Sequence, residues 1–169
     1  CHMVVFSADS DRNSVMEILD AGAKAYVCTT STIDELLAAG VPFAFDVMKA
    51  WGFRYSAVGF VWIKLKKSHD PMQLRFLPTA ESDLFVGLGF TTRKNTELCL
   101  LARRGSAKRA AKDVREVILA PVRQHSRKPD EARTRIERYV GEGKTMVELF
   151  GRTPAPGWRV LGNETEKFT

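Results

Sequence analysis

Cysteine is scarce in this sequence, with three residues among 169, and none of them sits at metal-ligand spacing. Cys28 and Cys99 lie inside apolar runs instead, which predicts buried, reduced thiols and a cytoplasmic protein. A long hydrophobic run is missing too. No stretch approaches the length that crosses a bilayer, and no signal-peptide pattern opens the chain, so no membrane partner is expected. No metal or nucleophile motif is present either, which leaves binding by cations and amides as the chemistry to look for.

What is present is ordinary for a globular chain. Hydrophobic residues make up 44% and charged residues 27%, enough for one domain with a proper core. The 26 Lys and Arg against 20 Asp and Glu leave a net charge of +6, which favours an anionic partner. Cys1, His2 and Met3 resemble a cloning scar ahead of a natural start and are set apart from the fold, and residues 165–169 read as a tail.

The most informative stretch runs from Ala120 to Glu164. APVRQHSRKPDEARTRIERYV predicts a loop and then a helix, with Ser126 able to cap, Pro129 in the first turn, and Asp130 and Glu131 complementing the positive helix end. Ala132, Ile136, Tyr139 and Val140 give the apolar stripe of a helix packed on a sheet. After Gly141 and Gly143, Met146 to Phe150 reads as a short buried strand that delivers Arg152, followed by a polar loop. In an open α/β sheet, ligand crevices form at the carboxyl ends of strands. There Lys128, Arg152 and Asn163 would combine two cations and an amide, a set suited to a nucleoside-type ligand carrying a carboxylate.

Upstream, residues 4–40 read as a βαβα unit with strands near 4–7 and 25–28, and helices closed by Gly22 and Gly40. Phe43, Phe45, Val47, Met48 and Trp51 line the apolar side of a helix ending at Gly52, after which a β-prone run reaches Lys64. Further strands are expected near 97–102, 116–119 and 145–150. Together they predict one α/β domain over 4–164: three-layer, Rossmann-like, with a mostly parallel sheet and helices on both faces. A sheet edge left open would give a route to a homo-oligomer.

The connecting segments carry charge. Lys66 and Lys67 open an irregular stretch to Asp83 that suits either phosphate contact or a solvated linker. Gly87-Leu88-Gly89-Phe90 lacks the third glycine and following helix of a dinucleotide fingerprint. Arg103, Arg104, Lys108, Arg109, Lys112 and Arg115 stand nearly unopposed, a cluster able to neutralise phosphates, although charge runs also serve as solvated faces.

HSRKPDE, ELFGR and PGWRVLGNE, in that order and spacing, resemble the C-terminal half of the mRNA-adenosine methyltransferase family. DVMKAWGFRYSAVGFVWIK and GLGFTTRKNTELCLLARRG extend the resemblance over roughly 43–164. It implies S-adenosylmethionine as cofactor and adenine N6 of a nucleic acid, DNA or RNA, as acceptor. By resemblance, Lys128 and Arg152 lie near the donor's carboxylate and ribose, Asn163 and Glu164 bond its ribose or adenine, and Phe150 supports the strand end. Glu97 falls where the family's polar groups approach the target adenine, a candidate catalytic residue beside the plainer reading of a solvated charge. Lys66, Lys67 and Arg93 join Arg103, Arg104, Lys108 and Arg109 as candidate nucleic-acid contacts, while His69 and His125 read as loop residues.

Residues 4–39 instead resemble the second half of a response-regulator receiver domain. The half bearing a phospho-accepting Asp is absent and Thr29 stands where receivers have a Lys, so the unit reads as scaffold. In the methyltransferase family a strand ending in Asp-Pro-Pro-Trp holds this position. Here the strand ends in Ala8-Asp9-Ser10-Asp11, so Asp9 alone can stand for that motif, as a candidate catalytic residue. The prolines and aromatic that shape the flipped-adenine pocket are missing. A methyltransferase-like fold with little or no methyl transfer is therefore expected. The alternatives are a non-catalytic nucleic-acid-binding or assembly module, and a recombined or engineered α/β chimera without activity.

Overall fold

The β-prone run RYSAVGFVWIKL forms the longest strand among the described residues, because branched and aromatic side chains suit a pleated surface. The computed structural model describes residues 2–7, 25–29, 44–67, 83–88, 92–106, 108–124, 127–149, 151–162 and 165–166. Its strands are β1 (His2–Ser7), β2 (Ala25–Thr29), β3 (Arg54–Leu65), β4 (Thr96–Arg103), β5 (Val117–Pro121), β6 (Thr145–Leu149) and β7 (Trp158–Leu161). They join in one seven-stranded sheet ordered β5-β3-β4-β2-β1-β6-β7.

Pairing is parallel for β1 with β2 and β6, for β3 with β5, and for β6 with β7. Only β4 runs the other way, antiparallel to both β2 and β3. The fold is thus mixed α/β, and the expected strands are all present. Two departures stand out. β1 begins at His2, with Met3 opposite Ala25 and Met146, so residues set apart as a scar lie within the sheet; backbone pairing makes little demand on side-chain identity. Residues 158–161, read as polar loop, form β7, a four-residue strand hidden between Gly157 and Gly162.

Two helices are described, α1 (44–50) and α2 (Asp130–Val140). Helix α1 closes through Trp51 and Gly52, whose φ of 71° suits glycine, and buries Ala44 and Met48. Phe45, expected in the core, is 38% exposed and meets Tyr55 edge-on with ring centroids 5.0 Å apart. In α2, Pro129 takes the N-cap position in extended conformation, just ahead of the first turn in which it was expected, with Asp130 and Glu131 in that turn. Gly141 closes it at φ 84°, its N–H bonding the Glu137 carbonyl. A Cβ there would come 2.6 Å from Ala110.

Strand alternation divides the core. Phe60, Trp62, Ile118, Met146 and Trp158 pack with Ile136 and Val140 of α2, while Leu100, Ala102, Val147 and Leu149 pack with Ala44 and Met48 of α1. Each fully buried aliphatic side chain contributes roughly 1.5–3 kcal/mol. Cys99 is buried, as its apolar context suggested. Among the described residues no helix is long and apolar enough to cross a membrane.

Candidate functional site

Strand direction decides where charged side chains gather. Six strands share one direction, so the edge with their carboxyl ends also carries the amino end of β4. From β1 the chain passes to β2 on one side, and from β6 to β7 on the other. That reversal makes the gap between β1 and β6, aligned Phe6 to Leu149, a topological switch point where open α/β sheets bind ligands.

At the same edge of the sheet, on β3 and β4 and in the turn before α2, lies a largely buried charged cluster. Glu97, one residue into β4, accepts from Lys64 Nζ at 2.6 Å on one oxygen and from Lys128 Nζ at 2.5 Å on the other. Lys64 also sits 5.3 Å from the centroid of Trp62, whose indole N–H donates to the Ala120 carbonyl at 2.8 Å and so fixes the ring. Lys128 is delivered by the turn before α2, which is tied to the helix start by Arg123 and Arg127 at 3.2 and 3.6 Å from Asp130. Burial pushes the Lys128 ammonium below the usual lysine range; Glu97 opposes this, while Lys64 and Arg152 add repulsion. Lys128 and Arg152, far apart in sequence, thus share one electrostatic neighbourhood. Around Glu97 itself, two ammonium groups share one carboxylate.

A second buried pair braces β6. Arg133 of α2 donates to Glu148 Oε2 from Nε at 2.8 Å and from a terminal nitrogen at 2.5 Å, and the same nitrogen reaches the Thr153 carbonyl at 3.0 Å. Burial raises the Glu148 carboxyl above its ordinary range, and Arg133 counteracts that. Between strand and loop, a Cβ at Gly151 would fall 2.4 Å from a Val160 methyl, so any larger residue there would have to displace it. Among the described residues no group of His, Cys, Asp and Glu could hold a metal.

A family model described as MT-A70 matches residues 14–164. The chain belongs to the MT-A70 family. An N(6)-adenosine-methyltransferase MT-A70-like protein of Drosophila melanogaster is 30% identical over 124 residues, 72% of this chain and 18% of that protein. Type II methyltransferase M.MunI of a Mycoplasma species is 30% identical over 118 residues, 69% of this chain and 42% of its own length. N6-methyladenosine RNA methyltransferase MTA1 of Cryphonectria parasitica is 32% identical over 110 residues, covering 64% and 28%. The chain therefore spans under a fifth of the first of these and under half of the others. The MT-A70 match begins at residue 14, inside the receiver-like stretch.

Of the residues singled out in the MT-A70 motifs, the structure brings Glu97, Lys128 and Arg152 together. Lys66, Lys67 and Arg93 are exposed at the same edge, whereas Arg103, Arg104, Lys108 and Arg109 are exposed at or beyond the far end of β4. Asp9, Phe150, Asn163 and Glu164 lie outside the described residues, as do His69, His125 and Ser126. Lys64, Arg133 and Glu148 were not anticipated. The one signal for Glu148 is a lone carboxylate inside the apolar strand TMVEL.

Proposed function

We propose that this MT-A70 domain binds S-adenosylmethionine at the switch point between β1 and β6 and serves an adenine-N6 nucleic-acid methyltransferase activity, impaired in this chain by the missing Asp-Pro-Pro-Trp motif. The observation that carries the reading is the largely buried cluster at that edge, in which Lys64 and Lys128 share Glu97 and Arg152 lies close enough to Lys128 to repel it. Such a cluster fits the carboxylate of the donor, with Lys128 and Arg152 as its holders. When bound, S-adenosylmethionine supplies an activated methyl group for displacement by an amino nitrogen. The chain's own contribution is placement: Glu97, fixed by two ammonium groups, keeps lone pairs able to accept from an adenine amino group. The fold is read as a three-layer Rossmann-like sheet, supported by separate core clusters on the α1 and α2 sides.

Labelled S-adenosylmethionine and adenine-containing oligonucleotides test both halves. Saturable donor binding with little transfer is expected. Turnover comparable to that of an intact methyltransferase would contradict the impairment, and a folded chain that ignores the donor would contradict the binding site.

A further inference from the structure

Antiparallel β4 carries its charge away from the site. Glu97 lies near its amino end with Lys64 and Lys128, but Arg103 ends it at the opposite edge, about 20 Å away at ~3.4 Å per residue. There Arg103 pairs in register with Arg54 of β3, both exposed, and Arg104 lies over the Gly52 turn. The chain then runs beneath the carboxyl end of α2, where the Ala110 N–H bonds the Tyr139 carbonyl at 2.8 Å, and exposes Lys108, Arg109 and Lys112 on the way. Two carboxylates stand on this stretch, Asp113 and Glu116, and Asp113 is taken by an ion pair with Arg138. Exposed cations outnumber the carboxylates along this stretch, an excess that suits a polyanion.

We propose that Arg54, Arg103, Arg104, Lys108, Arg109 and Lys112 form a second nucleic-acid contact, separate from the reaction site, that grips the backbone of the strand whose adenine enters at the opposite edge. The partner is a phosphodiester chain, because the surface offers separated point charges and guanidinium forks. Stacked strands carry a phosphate about every 3.4 Å along the axis, so roughly six nucleotides are needed to reach both edges. Binding strengthens with length beyond that threshold and does not depend on the donor. The proposal rests on the nucleic-acid part of the reading above, and its test separates the two.

The test is fluorescence anisotropy on the full chain with labelled adenine-containing single strands of 4 and 20 nucleotides, at salt from 50 to 200 mM. The comparison is with the combined variant Arg103→Gln, Arg104→Gln, Lys108→Gln, Arg109→Gln, and with Arg104→Gln and Lys108→Gln alone. The unaltered chain should prefer the 20-mer at least tenfold, and the combined variant should lose that preference. Its log-log salt slope should be shallower by about 3, and each single variant's by about 0.7, at ~0.7 per phosphate released. Donor binding should not change. A combined variant that matches the unaltered chain in length preference and slope overturns this contact alone. An unaltered chain that binds neither strand overturns the nucleic-acid reading as well.

Discussion

Glu97 holds two ammonium groups at once, and its loss should be felt first at Lys128. Without that carboxylate, Lys64 and Lys128 lose their shared partner and nothing from Glu97 offsets the burial of Lys128, so Glu97→Gln should cost about 3 kcal/mol, the scale for breaking a largely buried pair. The pH dependence follows from the depressed Lys128 value. A depressed lysine contributes stability that is full above its unfolded range and lost as pH falls through the folded value. Thermal unfolding should therefore show the Glu97→Gln deficit shrinking as pH rises from 7 towards 10. Arg133→Ala should behave oppositely. Glu148 is already raised by burial, and a raised carboxyl loses stability as pH rises through its folded value, so that variant's deficit should grow from pH 4 to pH 8, reaching about 3 kcal/mol. Lys128 and Arg152 were legible because a motif order linked them. Lys64, Arg133 and Glu148 were not, because a charge within a strand or helix reads as surface until its partner from another element is known.

At the scale of elements, β5 is an edge strand, and exposed Val117 and Leu119 on it would invite a second strand. The helix beside it supplies a cover: Arg135 of α2 donates to the carbonyls of Arg115 and Val117 at 2.7 and 2.6 Å, and Pro121 brings no donor at all. An open edge was expected to favour homo-oligomers, yet part of this edge is occupied from within. Arg135→Ala should free both carbonyls and raise self-association, seen as a concentration-dependent increase in sedimentation coefficient that the unaltered chain lacks below it. Equal behaviour of the two proteins would show that the guanidinium guards nothing. Helix α2 was readable from its 3.6-residue stripe, since Ile136 and Val140 are buried as the spacing required. Strand β7 was missed because four residues between two glycines are too few for alternation to register.

For the whole molecule, the element inventory was present in local sequence, but its consequence was not. Nothing in TELCLLAR states that β4 runs against its neighbours, and that single reversal puts Glu97 at the edge where the other strands end while Arg103 goes to the far edge. Likewise the switch point exists only once β1 sits between β2 and β6. The site thus depends on long-range order, with motif spacing supplying the residues and sheet topology supplying their meeting. Calorimetric titration of the full chain with S-adenosylmethionine tests this most directly, alongside Lys128→Ala and Arg152→Ala. Saturable one-to-one binding, weakened at least tenfold by either substitution, is the expected result; a folded chain that binds no donor, or binds it equally well without both cations, would contradict the account.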